Sequence, residues 1–463
     1  MPEQSHESSI LDLFRDAAAT VPAYADFLRE RDVDPDRVTE VAGIPLMTKA
    51  DYHQRYPLPE RCRDGWMATA DIVAVSSGSS GSPTVWPRTI RDEQAVTARF
   101  EQVFRDTFRA AERSTLAVVC FALGNWVGGM YTVAACRHLA EAGYPVTVAA
   151  PGNDVDEILR VVGELGAHYD QVVLLGYPPF IKNVVDAGVA RGVDWPALHV
   201  RAVLAGEVFS EAWRDLVAAR TGMDDPVTSI ASLYGTADAG VLGNETPLSV
   251  RIRRFLASRP DLAAELFQDT RLPTLVQFDP ADRFFELAPD GTLAFSADGT
   301  VPLVRYHIAD EGGVLSHAEL TAFCLSHGFD PGPGPALPFV YVFGRSLFTV
   351  SFFGANVHPE NVTVGLERPD VSEWTTGRFV IRTLETPDRD RTLSVIVELA
   401  PGADPTTERR DAAAAAIRTE LIRVNSEFGH YVPEAQQTPS VELRPTDDPE
   451  FFPRGVKHRY TRP

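Results

Sequence analysis

The chain has 463 residues and a formal net charge of −21 at neutral pH. At about 150 residues per domain, this length predicts two or three folded units. Hydrophobic residues make up 44% and charged residues 23%, which excludes general disorder, and the acidic surface excludes nucleic acid and anionic membranes as partners.

The N-terminal region, about residues 8–70, has helical spacing interrupted by prolines. Its first residues, Met1-Pro2-Glu3-Gln4, lack the basic and apolar pattern of a signal peptide. The cysteines show no spacing typical of a disulfide framework or a zinc site: they are Cys62, Cys120, Cys136 and Cys324. Both features predict a reduced, cytoplasmic protein.

Residues 71–277 alternate short apolar runs with amphipathic segments. We expect strands at 72–75, 116–121, 146–149, 172–175 and 200–204. We expect helices at 93–109, 155–165, 179–189 and 210–221. This alternation is typical of an α/β fold with a partly parallel sheet.

An uncharged stretch, residues 114–136, is long enough to span a bilayer. It is interrupted by Gly124, Asn125, Gly128 and Gly129. We therefore predict a buried strand, a glycine-rich turn and a helix rather than a membrane span.

The pattern changes to β character near residue 283, where a hairpin is predicted from 284–287 and 293–296. Further strands are expected at 379–383 and 394–399, followed by a helix at 406–425. The predicted fold class is α/β: a large N-terminal domain of mixed sheets and helices, residues 1–343, and a small α+β C-terminal domain, residues 344–463.

A segment rich in serine and glycine follows the first of these predicted strands. Its residues are Ser76-Ser77-Gly78-Ser79-Ser80-Gly81-Ser82-Pro83-Thr84. Glycines let a backbone approach a polyphosphate, and N–H groups and hydroxyls donate to the phosphate oxygens. No Gly-Lys-Ser or Gly-Lys-Thr follows, which excludes a Walker A loop. The segment predicts a phosphate-binding loop, with a flexible linker as the alternative.

This segment resembles the SSGTTGxPT phosphate loop of phenylacetate–CoA ligases, a family of the adenylate-forming superfamily. Two earlier segments are also similar to that family: Val21-Pro22-Ala23-Tyr24 to its VPFY, and Ile44-Pro45-Leu46-Met47-Thr48-Lys49-Ala50-Asp51 to its LPxTTKxD. Relatives often carry lysine where this chain has Ser82. The resemblance implies an AMP-binding domain over residues 1–343, a small mobile domain over 344–463, and activation of an acid by ATP with Mg²⁺.

Two further segments resemble motifs that surround the adenine in this family. Ala205-Gly206-Glu207-Val208-Phe209 is similar to GAEPW, although alone it is typical of a strand-to-helix turn. Leu233-Tyr234-Gly235-Thr236-Ala237-Asp238-Ala239-Gly240 is similar to YGxTExG. The resemblance implies that Ala205, Gly206, Glu207, Tyr234, Gly235 and Thr236 contact the adenine and ribose.

The aspartate of the second segment is the candidate metal ligand. A carboxylate beside the phosphates can hold Mg²⁺, and Asp238 stands where the family has glutamate. Ala237 likewise replaces a threonine. The alternative is a solvated aspartate in a turn.

Val301-Pro302-Leu303-Val304-Arg305-Tyr306-His307-Ile308-Ala309-Asp310 resembles the family's PLIRYRTGD. The resemblance implies that Asp310 accepts from the ribose hydroxyls, and a carboxylate can take two such donors. The alternative is a turn residue.

Gly344-Arg345-Ser346 and, further on, Gly354-Ala355-Asn356-Val357-His358-Pro359 resemble GRSDD…RGVNVFP, the family's hinge region. The resemblance implies a nucleotide contact for Arg345. Leu347, Phe348 and Phe353 depart from that pattern, since the family has aspartate at the hinge and arginine before Gly354. These departures weaken the prediction of transfer to CoA.

Lysine occurs only as Lys49, Lys182 and Lys457. Lys457 lies where the family carries its C-terminal catalytic lysine, which implies that it bridges the α-phosphate and the acid oxygen as charge shifts. A basic solvated tail is the alternative.

The segments that line the acid pocket in relatives contain several aromatic residues here. The pocket residues implied by the resemblance are Phe121, Asn125, Trp126, Gly128, Tyr177 and Phe180. They favour a small aromatic or planar acid, and ordinary aromatic core is an equal alternative.

Three functions remain open. The first is an AMP-forming ligase with ATP and Mg²⁺ as cofactors and CoA as acceptor. The second is an adenylating enzyme whose intermediate is captured by an amine, giving an amide, or by an arylamine when nitrite is the acid, giving a diazo product. The third is a non-catalytic nucleotide-binding protein. The partners are then a small acid and a nucleophile, with no nucleic acid and no membrane, and the oligomeric state is not specified by the sequence.

Overall fold

The computed structural model describes residues 2–76, 84–345, 349–452, 460 and 461, with side chains except those of residues 2–6, 69, 76 and 345. Within them the helices are α1 Pro2–Thr20, α2 Pro22–Arg29, α3 Ile90–Gln102, α4 Val127–Glu141, α5 Val155–Leu165, α6 Pro178–Ala190, α7 Glu211–Thr221, α8 Pro226–Ser229, α9 Pro247–Ser258, α10 Pro260–Phe267, α11 His317–Ser326, α12 Pro359–Leu366, α13 Pro369–Ser372, α14 Thr407–Val424 and α15 Ser426–Tyr431.

The strands within the same residues are β1 Met47–Thr48, β2 Ile72–Ser76, β3 Thr84–Arg88, β4 Thr115–Val119, β5 Val146–Ala149, β6 Gln171–Gly176, β7 Arg201–Ala205, β8 Ile230–Thr236, β9 Gly240–Asn244, β10 Thr274–Gln277, β11 Phe284–Leu287, β12 Thr292–Ala297, β13 Leu303–Leu315, β14 Phe339–Arg345, β15 Val350–Phe352, β16 Ala355–Val357, β17 Thr375–Glu385, β18 Arg391–Leu399 and β19 Ser440–Arg444.

The chain forms two compact units. Unit 1 comprises Met1–Val75, Val85–Gly176 and Ile181–Gly344. Unit 2 comprises Ser76–Thr84, Tyr177–Phe180 and Arg345–Pro463. That the C-terminal residues form a mobile domain stays a prediction.

The core of unit 1 is a large mixed sheet with the strand order β11-β12-β13-β14-β10-β9-β8-β7-β6-β4-β5, and β1 adds to β13. Strands β5, β4, β6, β7 and β8 are parallel. Strands β4 and β6 are buried along their whole length, as expected for apolar runs covered on both faces by crossover helices.

Unit 2 contains the sheet β17-β18-β19 and the hairpin β15-β16. Helices α12 and α14 pack closely at Gly365: a Cβ at this position would lie 2.8 Å from the Cα of Ile417. The predicted mixed α/β class with a smaller C-terminal sheet is confirmed.

Local signals in the sequence explain most element boundaries. Helix α5 begins after Asp154, whose carboxylate accepts from two backbone N–H groups of the first turn. Helix α3 begins with a capping box formed by Thr89 and Asp92. The predicted helix at 93–109 is wrong at its end, since α3 ends at Gln102 and a π-helical segment continues to Thr107. The left-handed backbone of Arg109 stops it there.

No helix in the described part of the chain is long and apolar enough to cross a membrane. The uncharged stretch 114–136 instead contains β4 and most of α4, as predicted.

A buried ion network connects β8 to the helices beside it. The Arg214 guanidinium is 0% exposed and donates to Glu245 at 2.8 and 3.0 Å, to Glu211 at 2.9 Å and to the Ile230 carbonyl at 2.7 Å. Glu245 also accepts from the backbone N–H of Ser232 at 2.8 Å. Because every charged group here has a partner, the network can fix the position of β8 against α7.

Replacing Arg214 with methionine should therefore be strongly destabilising, since the buried Glu245 loses its cation and Glu211 keeps only Arg253 and Arg254. We expect a loss of about 3–5 kcal/mol in the free energy of unfolding, measured by urea denaturation. The matched control is Arg160→Met, which breaks surface ion pairs with Glu157 and Glu164 and should leave the unfolding midpoint nearly unchanged. Equal shifts in the two variants would contradict this role for the network.

Candidate functional site

Several of the predicted site segments lie at the carboxyl ends of the parallel strands. Residues 121–129 follow β4, and Ala205 ends β7. Tyr234 lies near the end of β8, and Asp238 follows it. Ligands of open α/β sheets bind outside the carboxyl ends of their strands, so this edge is the expected place for a site.

The two predicted adenine-binding segments are neighbours in space. Ala205 of β7 pairs with Leu233 of β8, so the turn after β7 runs beside Tyr234. Gly206 has a left-handed backbone with φ of 87°, which glycine adopts without steric cost, and Glu207 is buried after it.

Two tyrosine–aspartate hydrogen bonds connect the end of β8 with β13. The Tyr234 hydroxyl donates to Asp310 Oδ2 at 2.7 Å. In the opposite sense, the Tyr306 hydroxyl donates to Asp238 Oδ2 at 2.6 Å. We call this arrangement the crossed pair. It brings together the candidate stacking ring, metal ligand and ribose ligand, which are far apart in the sequence.

Irregular backbone in β13 precedes both of its site residues. The register between β12 and β13 shifts twice, and Arg305 and Ala309 have positive φ values of 48° and 58°. Bulges of this kind re-aim the side chains that follow. In the motif that this segment resembles, glycine stands at the position of Ala309, which was a sequence signal for the left-handed backbone.

The end of β8 also depends on a close approach of backbones. A Cβ at Gly235 would lie 2.5 Å from the carbonyl oxygen of Gly240, so only glycine fits between β8 and β9. Thr236 then closes the turn, because its hydroxyl accepts from the backbone N–H of Ala239 at 3.1 Å.

The segment resembling LPxTTKxD lies against β13. Met47 and Thr48 pair with Tyr306 and His307 in parallel. Arg305 fixes the segment that precedes β1, because its guanidinium donates to Glu286 at 2.6 Å and to the carbonyl oxygen of Ile44.

A buried histidine packs beside the crossed pair. The His53 ring lies 5.2 Å from the Tyr306 ring and 4.6 Å from the Trp86 ring. Burial lowers the pKa of His53 well below its ordinary value, and the nearby charges of Arg61, Lys49 and Arg88 lower this pKa further. Because His53 is neutral, its Nδ1 accepts from Arg61 Nη1 at 2.9 Å.

Asp238 has the properties of a ligand for one divalent cation. It is 8% exposed and held by Tyr306, while its Oδ1 has no hydrogen-bond donor among the residues that the structure describes. Magnesium in nucleotide sites is commonly bound by one or two carboxylates together with substrate phosphates. The residues therefore fit a magnesium ion that arrives with a polyphosphate.

Part of the predicted site lies outside the described residues: Ser77, Gly78, Ser79, Ser80, Gly81 and Lys457. The described ends of the predicted phosphate loop belong to a two-stranded sheet, with Ser76 ending β2 and Thr84 beginning β3. Arg345 ends β14, and its side chain is likewise outside the described part.

The predicted acid-pocket residues have different surroundings. Phe121 and Trp126 are buried, and the carbonyl of the exposed Asn125 accepts from the Val75 N–H at 2.8 Å, next to the phosphate loop. Gly128 lies in the first turn of α4.

The other two residues, Tyr177 and Phe180, belong to unit 2 and are buried. The Tyr177 ring lies 5.3 Å from that of Tyr431, and a Cβ at Gly354 would lie 2.3 Å from it. Tyr177 therefore has a packing role in this conformation.

Tyr306 and Arg88 are among the site residues that the sequence motifs did not single out. Tyr306 lies in the same sequence motif as Asp310, and this was the sequence signal that could have identified it. Arg88 follows the phosphate loop by four residues but belongs to no motif, and only the structure relates it to Asp238.

Similarity to solved structures establishes the fold. A structure of 2-hydroxyisobutyryl-CoA ligase in complex with 2-HIB-AMP and CoA, in the thioesterification state, matches 100% of this chain and 90% of its own, with a TM-score of 0.68 and 15% identity. The same ligase in the postadenylation state with R3-HIB-AMP matches 100% and 89%, with a TM-score of 0.58 and 14% identity. The chain therefore shares the fold of this CoA ligase.

A third match is the amide bond synthetase McbA from Marinactinospora thermotolerans, which covers 96% of this chain and 79% of its own at 17% identity; its TM-score of 0.49 is too low to carry an argument. A scan against protein-family models found no match, and neither did a search of curated proteins.

Removing the hydroxyl of Tyr306 tests the crossed pair. Tyr306→Phe should reduce the free energy of unfolding by about 1.5–3 kcal/mol, because a buried carboxylate loses a hydrogen bond. The control is Tyr56→Phe, whose hydroxyl donates to Asp26 at 2.9 Å, where the carboxylate is 32% exposed and water can replace the donor. Both free energies of unfolding are measured by urea denaturation. A larger loss of stability in Tyr56→Phe than in Tyr306→Phe would contradict a stabilising role for the bond between Tyr306 and Asp238.

Proposed function

We propose that the protein is an ATP-dependent, AMP-forming ligase, similar to phenylacetate–CoA ligases, that activates a small aromatic or planar acid as its AMP anhydride. The crossed pair carries this proposal. It places Tyr234, Asp310 and Asp238 together at the carboxyl edge of the sheet, where a nucleotide with its metal needs a ring, a ribose acceptor and a carboxylate.

Each described residue has one part in the proposed reaction. The Tyr234 ring is half-buried and can stack on adenine, while its hydroxyl orients Asp310 toward the ribose. The acid oxygen attacks the α-phosphorus of ATP and pyrophosphate leaves, so that an acyl-AMP forms. The side chain of Asp238, fixed by Tyr306, would hold Mg²⁺, which supplies charge neutralisation at the phosphates.

The charges near the crossed pair support an anionic substrate despite the acidic surface. Arg61 and Arg88 are buried and form no ion pair with a carboxylate in the described ranges. Lys49 is half-buried, and its ammonium makes no hydrogen bond or ion pair in the described ranges. Positive groups that lack a carboxylate partner raise the local potential, as binding of a polyphosphate requires.

Capture of the acyl-AMP by an amine instead of CoA is the second candidate. The tip of the hairpin β15-β16 favours it, because Phe353 stands where relatives carry arginine. Phe353 is 1% exposed, packs 4.9 Å from Phe352, and has a left-handed backbone with φ of 53°. A buried ring offers no charge to the CoA phosphates.

The proposed activity predicts that pyrophosphate is released from ATP only when a suitable acid and Mg²⁺ are both present. The measurement is a pyrophosphate assay over a panel of aromatic and aliphatic acids, with nitrite included. Formation of ADP and phosphate would show instead that the chain cleaves ATP at another bond, and the proposal would fail.

Two variants belong to the same assay. Asp310→Ala should raise the KM for ATP, because its ribose contact exists before the reaction.

Lys457→Ala should slow acyl-AMP formation by about 100-fold with ATP binding nearly intact, because the lysine would act on charge that develops in the transition state. Full activity of Lys457→Ala would assign that residue to a basic, solvated tail.

The acceptor can be identified once an acid is known. With acyl-AMP formed on the enzyme, we expect amines to consume it and CoA to have a weak effect, because Phe353 removes a cation from the hairpin tip. The measurement is the rate of acyl-AMP loss with CoA and with a panel of amines. Rapid, saturable loss with CoA alone would restore the plain CoA-ligase function.

A further inference from the structure

The turn that carries Asp238 is held from two sides by buried arginines. Arg88 Nη2 donates to the carbonyl oxygen of Ala237 at 3.2 Å and to that of Asp238. Arg283 Nη2 donates to the carbonyl oxygen of Ala239 at 3.4 Å. Three successive carbonyl groups of the turn therefore face guanidinium groups.

Neither arginine has a carboxylate within ion-pair distance among the described residues, although Asp92 and Asp282 act on Arg283 from farther away. Arg88 is 4% and Arg283 8% exposed, and neither forms an ion pair with a carboxylate in the described part of the chain. The Nε atoms of both are buried without a hydrogen-bond partner there. Burying an unpaired charge is costly, so the retention of two at one turn requires a compensating role.

The space between the arginines excludes direct binding of a phosphate group. The cavity that they line with Asp92, Tyr131 and Asp238 has a volume of about 10 Å³. That is the scale of a single water. The arginines therefore act on the turn itself.

Arg88 is also held in place by its own strand. It is the last residue of β3, the strand that begins at Thr84 where the loop ends. Its guanidinium lies 5.6 Å from the centre of the Trp86 ring, which is fully buried on the same strand. The strand therefore fixes the guanidinium beside the carbonyl groups of the turn that carries the candidate metal ligand.

We propose that Arg88, assisted by Arg283, is a positioning residue for Mg²⁺–ATP: it fixes the backbone of the turn that carries Asp238. This proposal rests on the proposed function, since it takes Asp238 as the magnesium ligand. Arg88 acts through Asp238 and does not touch the substrate.

The test compares ATP binding by the wild type, Arg88→Met and Arg88→Lys at limiting and saturating MgCl₂, using titration calorimetry without any acid. Arg88→Met should weaken Mg²⁺–ATP binding by about tenfold or more, the scale of one charged hydrogen bond, and should raise the MgCl₂ concentration needed for half-maximal binding. Arg88→Lys keeps a charged donor and should recover part of the loss.

A purely structural role is separated by a matched control and a double variant. Arg201→Met removes another arginine that donates to a backbone carbonyl and lacks a carboxylate partner in the described residues, at the opposite end of β7. It should leave ATP binding unchanged even if it lowers the unfolding midpoint. In the Asp238→Ala background, adding Arg88→Met should cost little further affinity, since Arg88 acts through Asp238.

The outcomes distinguish the two proposals. If the wild type does not bind ATP with Mg²⁺, the proposed function fails. If the wild type binds but Arg88→Met binds equally well, or if the losses in Arg88→Met and Asp238→Ala are additive, the positioning role is overturned and the function stands.

Discussion

The crossed pair is the interaction on which the geometry of the site depends. Each hydrogen bond joins a tyrosine of one segment to an aspartate of the other, so neither segment can shift without breaking both. Both aspartates are buried, at 8% exposed for Asp238 and 6% for Asp310, and a buried carboxylate that loses its donor is costly. The cost of misplacement keeps the candidate metal and ribose ligands at a fixed separation.

Other contacts in unit 1 fix the two segments joined by the crossed pair, the end of β8 and β13. On one side, the buried network of Arg214, Glu211 and Glu245 fixes β8 against α7. On the other side, Arg305 of β13 donates to Glu286 and to the carbonyl oxygen of Ile44, which precedes β1. The sheet therefore acts as a frame in which ionic contacts set the ends of two strands, and the site is built where these ends meet.

The sequence predicted the regular part of this frame but not its irregular part. Parallel strands such as β4 and β6 are continuous apolar runs, and helices such as α5 have explicit caps, so both were predicted within a few residues. The bulges at Arg305 and Ala309 were missed because neither residue type favours a left-handed backbone. The contact from Arg88 to the Asp238 turn was missed because it joins residues 150 apart that follow no shared pattern.

Arginine at these positions suits the same requirement for fixed geometry. A guanidinium donates in several directions within one plane. Arg88 therefore donates to two carbonyl groups, and Arg305 donates to a carboxylate and to a backbone carbonyl at the same time. An ammonium is a compact charge on a flexible stem and does not organise backbone in this way. Arginines therefore form the rigid surroundings of the site, and lysine remains suited to positions, such as that proposed for Lys457, where one charge must follow a reacting group.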